Sequence, residues 1–247
     1  MRIGIGAGPD ITKVLSSAAG VGPGTSVTCF TSREYGRDIR SPSIRMSDRP
    51  AEALVRALMD GEIDAAVRGS LPANETLTAL RKATGVGHLL RIAILSTANG
   101  RMFLLAPVGV DEGWTVEEKV LLVEKGRDLA ARLGLPGEVA VLSGGRLGDI
   151  GRHPVVDRTI AEAELVARLT GAIHREILIE DAIGTAGMIL APDGISGNLV
   201  FRTLVHLGGG GAHGAPVVNI DKIFVDSSRA SPDYANALIT AQKLFKK

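Results

Sequence analysis

Strand-like and helix-like segments alternate along this chain from its first residues, and that alternation constrains the fold more than any other feature. Residues 2–6 form a short strand pattern and residues 11–19 a helical one. Residues 26–30 again read as strand, 51–60 as helix, 63–67 as strand and 75–83 as helix. Such βα order predicts a largely parallel sheet with covering helices. Two strand-like runs, 90–97 and 101–108, then flank Ala98-Asn99-Gly100, whose Asn-Gly pair is a hairpin signal. The hairpin breaks the alternation and marks the start of a second subdomain.

Beyond it, residues 116–133 carry apolar side chains at helical spacing (Val116, Val120, Val123, Leu129, Ala130, Leu133), with Thr115 and Glu118 as a capping box. Residues 139–142 read as a buried strand, 155–169 as helix, 177–179 and 188–191 as strands, and 217–225 as extended. Ser231 as N-cap with Pro232 at the first helical position opens the last helix.

A chain of 247 residues with 45% apolar content can bury a substantial core, and its net charge of +1 argues against a nucleic-acid surface. The one basic cluster, Lys243, Lys246 and Lys247, reads as a solvated helix end. Cys29, the single cysteine, sits in the apolar run Val27-Thr28-Cys29-Phe30 and reads as a buried strand residue, not a reactive thiol. No stretch reaches the roughly 18 to 20 apolar residues that span a bilayer, and no signal peptide opens the chain, so a cytoplasmic location is expected. His88, His153 and His174 show no metal-ligand spacing, and no metal is expected. Gly4-Ile5-Gly6-Ala7-Gly8-Pro9 lacks the spacing of a dinucleotide fingerprint, which speaks against a dehydrogenase.

The chemistry-bearing stretch is 192–231. Asp193-Gly194-Ile195-Ser196-Gly197-Asn198 follows a strand and precedes the amphipathic stretch 199–207. Free N–H groups at a helix start attract anions. Gly208 to Gly211 then end the helix and can line a ligand with backbone N–H groups. On the glycines alone, a helix cap followed by a surface loop is an equal reading.

These residues resemble the C-terminal half of the phosphate acetyl- and butyryltransferases. The shared pattern is Pro192-Asp193, Gly197-Asn198, Gly208-Gly209, Ala212, Gly214, and Asp226 with Ser228-Arg229, ungapped from Asp193 to Arg229. Asp64 to Ser70, Val139 to Ser143 and Pro154 to Asp157 also resemble segments of that family, so the likeness covers about residues 60–240. It implies the two-domain α/β fold of the isocitrate and isopropylmalate dehydrogenases, with a cleft between the domains. Residues 1–88 with 220–247 would form the first domain, residues 89–219 the second, and the crossings would fall near 87–90 and 217–228.

The resemblance further implies site residues. Ser228, Arg229 and Asn198 take the catalytic positions, and Arg229 supplies a fork of donors suited to phosphate. Asp193, Gly197, Arg202, His206, Gly208, Gly209 and Ser143 take binding positions, Arg202 and His206 sharing one helix face. An exposed Arg229 paired with Asp226, or solvated Arg202 and His206, are the purely structural alternatives. His213 lies within the glycine loop at a position the family does not fix. An acidic residue is replaced by Gly211, the acid implicated as base is replaced by Ala235, and Arg68-Gly69-Ser70 stands where Ser-Gly-Ala is usual.

Short length and these departures resemble most the methanogen methyltransferase subunit X group, also called methanogenesis marker protein 4, itself a relative of the phosphotransacetylases. The expected function is a transferase-like protein that binds a phosphate, acyl-phosphate or coenzyme A ligand without a covalently bound cofactor, as a homodimer. The alternatives are a methyltransferase or accessory subunit of a tetrahydromethanopterin-linked methyltransferase complex, and a non-catalytic ligand sensor.

Overall fold

The structure, a computed structural model, describes residues 1–36, 43–229 and 231–245. The chain divides into two compact units, Met1–Leu89 with His213–Lys247, and Leu90–Ala212. In the first unit it runs β1 (Arg2–Ala7), α1 (Ile11–Ala19), β2 (Ser26–Thr31), the short α2 (Arg33–Gly36), β3 (Ile44–Met46), α3 (Pro50–Met59), β4 (Ala65–Val67) and α4 (Ala73–Thr84). The second unit holds β5 (Ala93–Ser96), β6 (Met102–Ala106), α5 (Val116–Leu133), β7 (Val139–Val141), α6 (Pro154–Thr170), β8 (Ile173–His174), α7 (Ile179–Thr185), β9 (Met188–Leu190), α8 (Gly194–His206) and β10 (Gly211–Ala212). The chain then returns to the first unit with β11 (Ala215–Pro216), β12 (Ile223–Asp226) and α9 (Ala235–Phe245). Lys243 lies in the last turn of α9, while Lys246 and Lys247 fall outside the described residues.

The first sheet has the order β11-β12-β4-β1-β2-β3, parallel except for β11. Its central strands β1, β4 and β12 are buried on both faces, as follows when helices cover each side. Ile3, Ile5, Ala7, Cys29, Val67 and Val225 share one core with residues of α1 and α9. Phe30, Ala66 and Phe224 share the other with Leu54, Val55 and Leu58 of α3 and Leu80 of α4. The second sheet has the order β10-β5-β6-β9-β7-β8. Its antiparallel β5–β6 pair is the hairpin signalled by Ala98-Asn99-Gly100, closed by the Gly100 N–H on Thr97 O. No helix among the described residues is long and apolar enough to cross a membrane.

Four local expectations need correction. The strand expected at 177–179 lies instead at Ile173–His174, and Ile177-Leu178-Ile179 leads into α7 through turn bonds such as Leu178 N–H to Arg175 O. A three-residue apolar run cannot distinguish strand from helix entry. The stretch expected to be extended over 217–225 is strand only from Ile223, in β12, and a bend at 219–222 separates it from Val217, which follows β11. The last helix begins at Ala235, not Pro232: Ser231 N–H closes a turn on Ser228 O, Tyr234 N–H goes to Ser17 Oγ, and Asp233 accepts the Ala235 N–H. The capping box at α5 is displaced, because Thr115 accepts from Glu118 N–H while Glu118 reaches the N–H of Trp114.

Gly69 links β4 to the ends of its neighbours. Its φ is +61°, and a Cβ there would lie 1.9 Å from Gly6 O. Gly61 has φ +73° but open space around it. Gly61→Ala should cost about 1 to 2 kcal/mol from left-handed strain alone. Gly69→Ala should cost at least about 2 kcal/mol more, since backbone must also move. Equal urea midpoints for the two variants would contradict the close approach.

Candidate functional site

Open α/β sheets bind ligands beyond the carboxyl ends of strands where the strand order reverses. Each unit has one such point. In the first, β1 leads through α1 to β2 on one side, whereas β4 returns to the other side of β1. The ends of β1, β4 and β12 are knitted together there. Ser70 Oγ accepts the buried Gly8 N–H at 2.9 Å, and Ser70 N–H reaches Gly6 O at 3.1 Å. The Arg68 guanidinium donates to Asp226 through Nε and to Leu71 O through Nη1 at 2.7 Å. Asp226 also accepts the Ser227 N–H at 2.8 Å, and Ser227 Oγ donates to Gly69 O at 3.0 Å. The Arg68 and Asp226 side chains are only 5% and 11% exposed.

Ser228 and Arg229 leave the end of β12 directly after this knot. Asp226 is buried against Arg68, and among the described residues no ion pair joins it to Arg229, which is exposed. The Arg229 backbone is fixed from α1, because Lys13 Nζ donates to Arg229 O at 3.4 Å and to Ser231 O at 3.0 Å. Lys13 also lies 5.1 Å from the centre of the buried Tyr234 ring. Cys29 is buried, and that burial pushes its thiol up to about 12, so it supplies no thiolate. Burial, and then the charge of Lys243, hold the His213 imidazole below its ordinary range.

In the second unit, β6, β7 and β8 follow one direction while β9 inserts between β6 and β7, so the order reverses between β9 and β7. The turn 193–198 after β9 proves to be the first turn of α8. Asp193 is its N-cap: the carboxylate accepts Ser196 N–H at 2.8 Å and Ser196 Oγ–H at 3.0 Å. Gly194 N–H goes to Glu112 O at 3.1 Å. These donors are therefore not open to an anion. Gly194 and Gly197 are required by close approach, since a Cβ at either would lie 1.6 Å from Gly109 O or 1.9 Å from Pro107 O. Asn198 Nδ2 donates to Val108 O at 2.9 Å.

The segment receiving α8 is held by a charge pair that sequence reasoning missed. Glu112, 1% exposed, takes Arg91 Nε at 2.5 Å, Arg91 N–H at 3.2 Å and Gly109 N–H at 3.3 Å. Burial pushes its carboxyl above the ordinary range, against the pull of Arg91 and these N–H groups. Nothing local in the sequence pairs residues 91 and 112.

Arg202 and His206 do share the exposed side of α8, and His206 packs edge-on to Phe201 at 6.0 Å. The glycine run closes the helix: Gly208 and Gly210 N–H groups return to Thr203 O and Leu204 O, Gly209 takes φ +67°, and Gly211 pairs with Ser96 of β5. Since α8 spans 13 residues, its ends lie about 18 Å apart at 1.5 Å per residue. The structure thus brings Asp193, Gly197 and Asn198 together at the carboxyl edge and places Gly208 and Gly209 at the other end of the helix.

Ser143 follows β7, on the opposite side of the same reversal point. It is buried, and its Oγ contacts His174 Nε2 at 2.8 Å and Gly145 O at 2.7 Å. His174 Nδ1 in turn meets Glu164 Oε1 at 2.7 Å. Sequence reasoning tested His174 only for metal spacing, and a partner 31 residues away leaves no local signal.

No protein-family model matches the chain. It is 44% identical over 203 residues to a Methanosarcina barkeri protein named "putative methyltransferase mtx subunit X", covering 80% of this chain and 75% of that one. It is 37% identical over 255 residues to an uncharacterized methyltransferase of Methanopyrus kandleri, covering 99% of each. Its fold matches a branched-chain phosphotransacylase of Enterococcus faecalis at a TM-score of 0.75 and 14% identity, over 100% and 99% of the two chains. An isocitrate dehydrogenase of Methylococcus capsulatus matches at 0.56 and 13% identity, over 99% and 84%. The two-domain α/β fold implied by the sequence resemblance is the one observed.

Glu112 generates a pH test. A carboxyl raised in the folded state stabilises most below its unfolded value, and the contribution is lost as pH rises through the folded one. The unfolding free energy of the natural chain minus that of Glu112→Gln should therefore fall as pH rises above about 4.3. A difference that grows with pH would contradict the assignment.

Proposed function

The chain belongs to the mtx subunit X family, and on that premise we propose that it binds a phosphate-bearing ligand of the coenzyme A or acyl-phosphate class through the Ser228–Arg229 segment. The observation that carries this reading is the commitment of Asp226 to Arg68. It leaves the Arg229 fork without a carboxylate partner among the described residues, on a backbone anchored by Lys13. A guanidinium so placed matches the geometry of a phosphate group.

In this reading Asn198 acts indirectly. Its amide braces Val108, so it shapes the turn after β9 and leaves ligand contact to other groups. Acyl transfer to a thiol also needs a base. Position 235, where the resembling enzymes carry an acid, is the alanine that starts α9, and Asp233 is engaged by the Ala235 N–H. Binding is therefore favoured over rapid acyl transfer. Arg229→Ala should weaken coenzyme A binding by about tenfold or more in calorimetry, the range of a charge-assisted hydrogen bond. Unchanged affinity would remove Arg229 from the site.

The names of the relatives favour a second reading, an accessory role in a methyltransferase complex. Tagged full-length chain expressed in a methanogen should then copurify with methyltransferase subunits at fixed stoichiometry. Recovery of the chain alone from cells that make those subunits would contradict this reading.

A further inference from the structure

Glycine alone seats α8. Of its 13 residues only Gly194 and Gly197 are buried, so none of its apolar side chains is buried within the chain. Ile195, Leu199, Arg202 and His206 recur at helical spacing and fall in one stripe, and all four are exposed. Alternating steps of four and three residues are the pattern of a seam that packs against another helix. The neighbouring segment extends this apolar surface. Gly194 N–H bonds to Glu112 O, which brings residues 110–114 to the start of α8, and the Trp114 indole donates to Val110 O at 2.9 Å. Ile195 and Leu199 are 50% and 61% exposed, Val110 and Trp114 62% and 45%. Together they leave about 400 Å² of apolar surface in water, the size at which a patch commonly serves an interaction.

The charges around the patch identify what covers it. At the start of α8 stands Asp111, whose exposed carboxylate is 3.9 Å from an Arg91 already engaged by Glu112. Arg202 lies about 10 Å further along the helix than Ile195 and has no carboxylate partner among the described residues. One end of the surface is therefore acidic and the other basic. A two-fold axis across α8 sets two copies of the helix antiparallel, the start of one against the latter half of the other. Each Arg202 then faces the Asp111 end of the other copy, and the two Leu199 side chains come together beside the axis. A parallel arrangement would instead set Arg202 against Arg202. A second copy thus carries both the apolar cover and the missing carboxylate. The apolar patch is about half of the roughly 800 Å² per partner that a stable interface buries, close to the usual apolar share of such a contact.

We propose that the exposed side of α8, with Val110, Asp111 and Trp114, is the surface on which two copies of this chain pair, antiparallel about a two-fold axis, with Arg202 and Asp111 in contact across the copies. Arg202 and His206 then serve assembly and not ligand contact. The pairing does not rest on the Ser228–Arg229 reading.

Sedimentation equilibrium of the full chain tests it. The natural protein should sediment at twice the chain mass at micromolar concentration. Leu199→Asp, at an exposed position, should raise the dimer dissociation constant by about hundredfold or more, whereas Leu169→Asp, at an equally exposed position on α6, should leave it unchanged. Arg202→Glu and Asp111→Arg should each weaken pairing, and the chain carrying both should regain it, because the reversed charges again face each other. Far-UV circular dichroism of each variant separates loss of pairing from loss of fold. A natural chain that remains monomeric at about 100 μM, or pairing that survives Leu199→Asp, would overturn the proposal. Pairing lost in Leu199→Asp but not regained in the double reversal would overturn the antiparallel register.

Discussion

The buried pair of Arg68 and Asp226 is the interaction on which the first unit's site depends. Two charges so far removed from water are tolerable only when geometry and additional hydrogen bonds compensate for lost solvation. Leu71 O and Ser227 N–H provide those bonds. Removing either partner from such a pair typically costs about 3 to 5 kcal/mol, because the other charge is left uncompensated. The pair joins the exits of β4 and β12, neighbours in the sheet whose strands are far apart in sequence. It also determines the electrostatics of the Ser228–Arg229 segment beyond β12, since an acid held by Arg68 does not neutralise Arg229.

The second unit uses charge in the same internal way. Asp193 closes the start of α8 with its own carboxylate, and Glu112 with Arg91 holds the segment against which Gly194 and Gly197 pack. A helix start that looks open in sequence is thus already capped by a negative group. Its structural purpose is to seat α8 at a backbone-to-backbone distance that only glycine permits. The proposed phosphate contact is Arg229 in the first unit, an exposed side chain outside this seating of α8.

The βα order, the hairpin and the length of α5 were legible because each rests on local periodicity or a turn dipeptide. Asp193 was legible as the residue before the helix α8, through the turn pattern that follows β9. What escaped the sequence was long-range. Arg68 was visible as a departure from the family pattern, but its partner lies 158 residues away, and Glu164, His174 and Ser143 come from separate elements. Gly208 to Gly211 left two readings open in the sequence, and in the structure Gly208 and Gly210 return their N–H groups to α8 while Gly211 pairs with β5. Composition cannot distinguish the two uses, because both depend on what stands opposite the backbone.

The central claim is that a phosphate group sits on Arg229 while Arg68 keeps Asp226. A crystal structure of the full chain grown with coenzyme A tests it most directly. The account predicts a ligand phosphate in hydrogen-bond contact with the Arg229 guanidinium and the Arg68–Asp226 pair intact. Coenzyme A bound with its phosphates away from Arg229, or Arg229 turned onto Asp226 with Arg68 released, would contradict it.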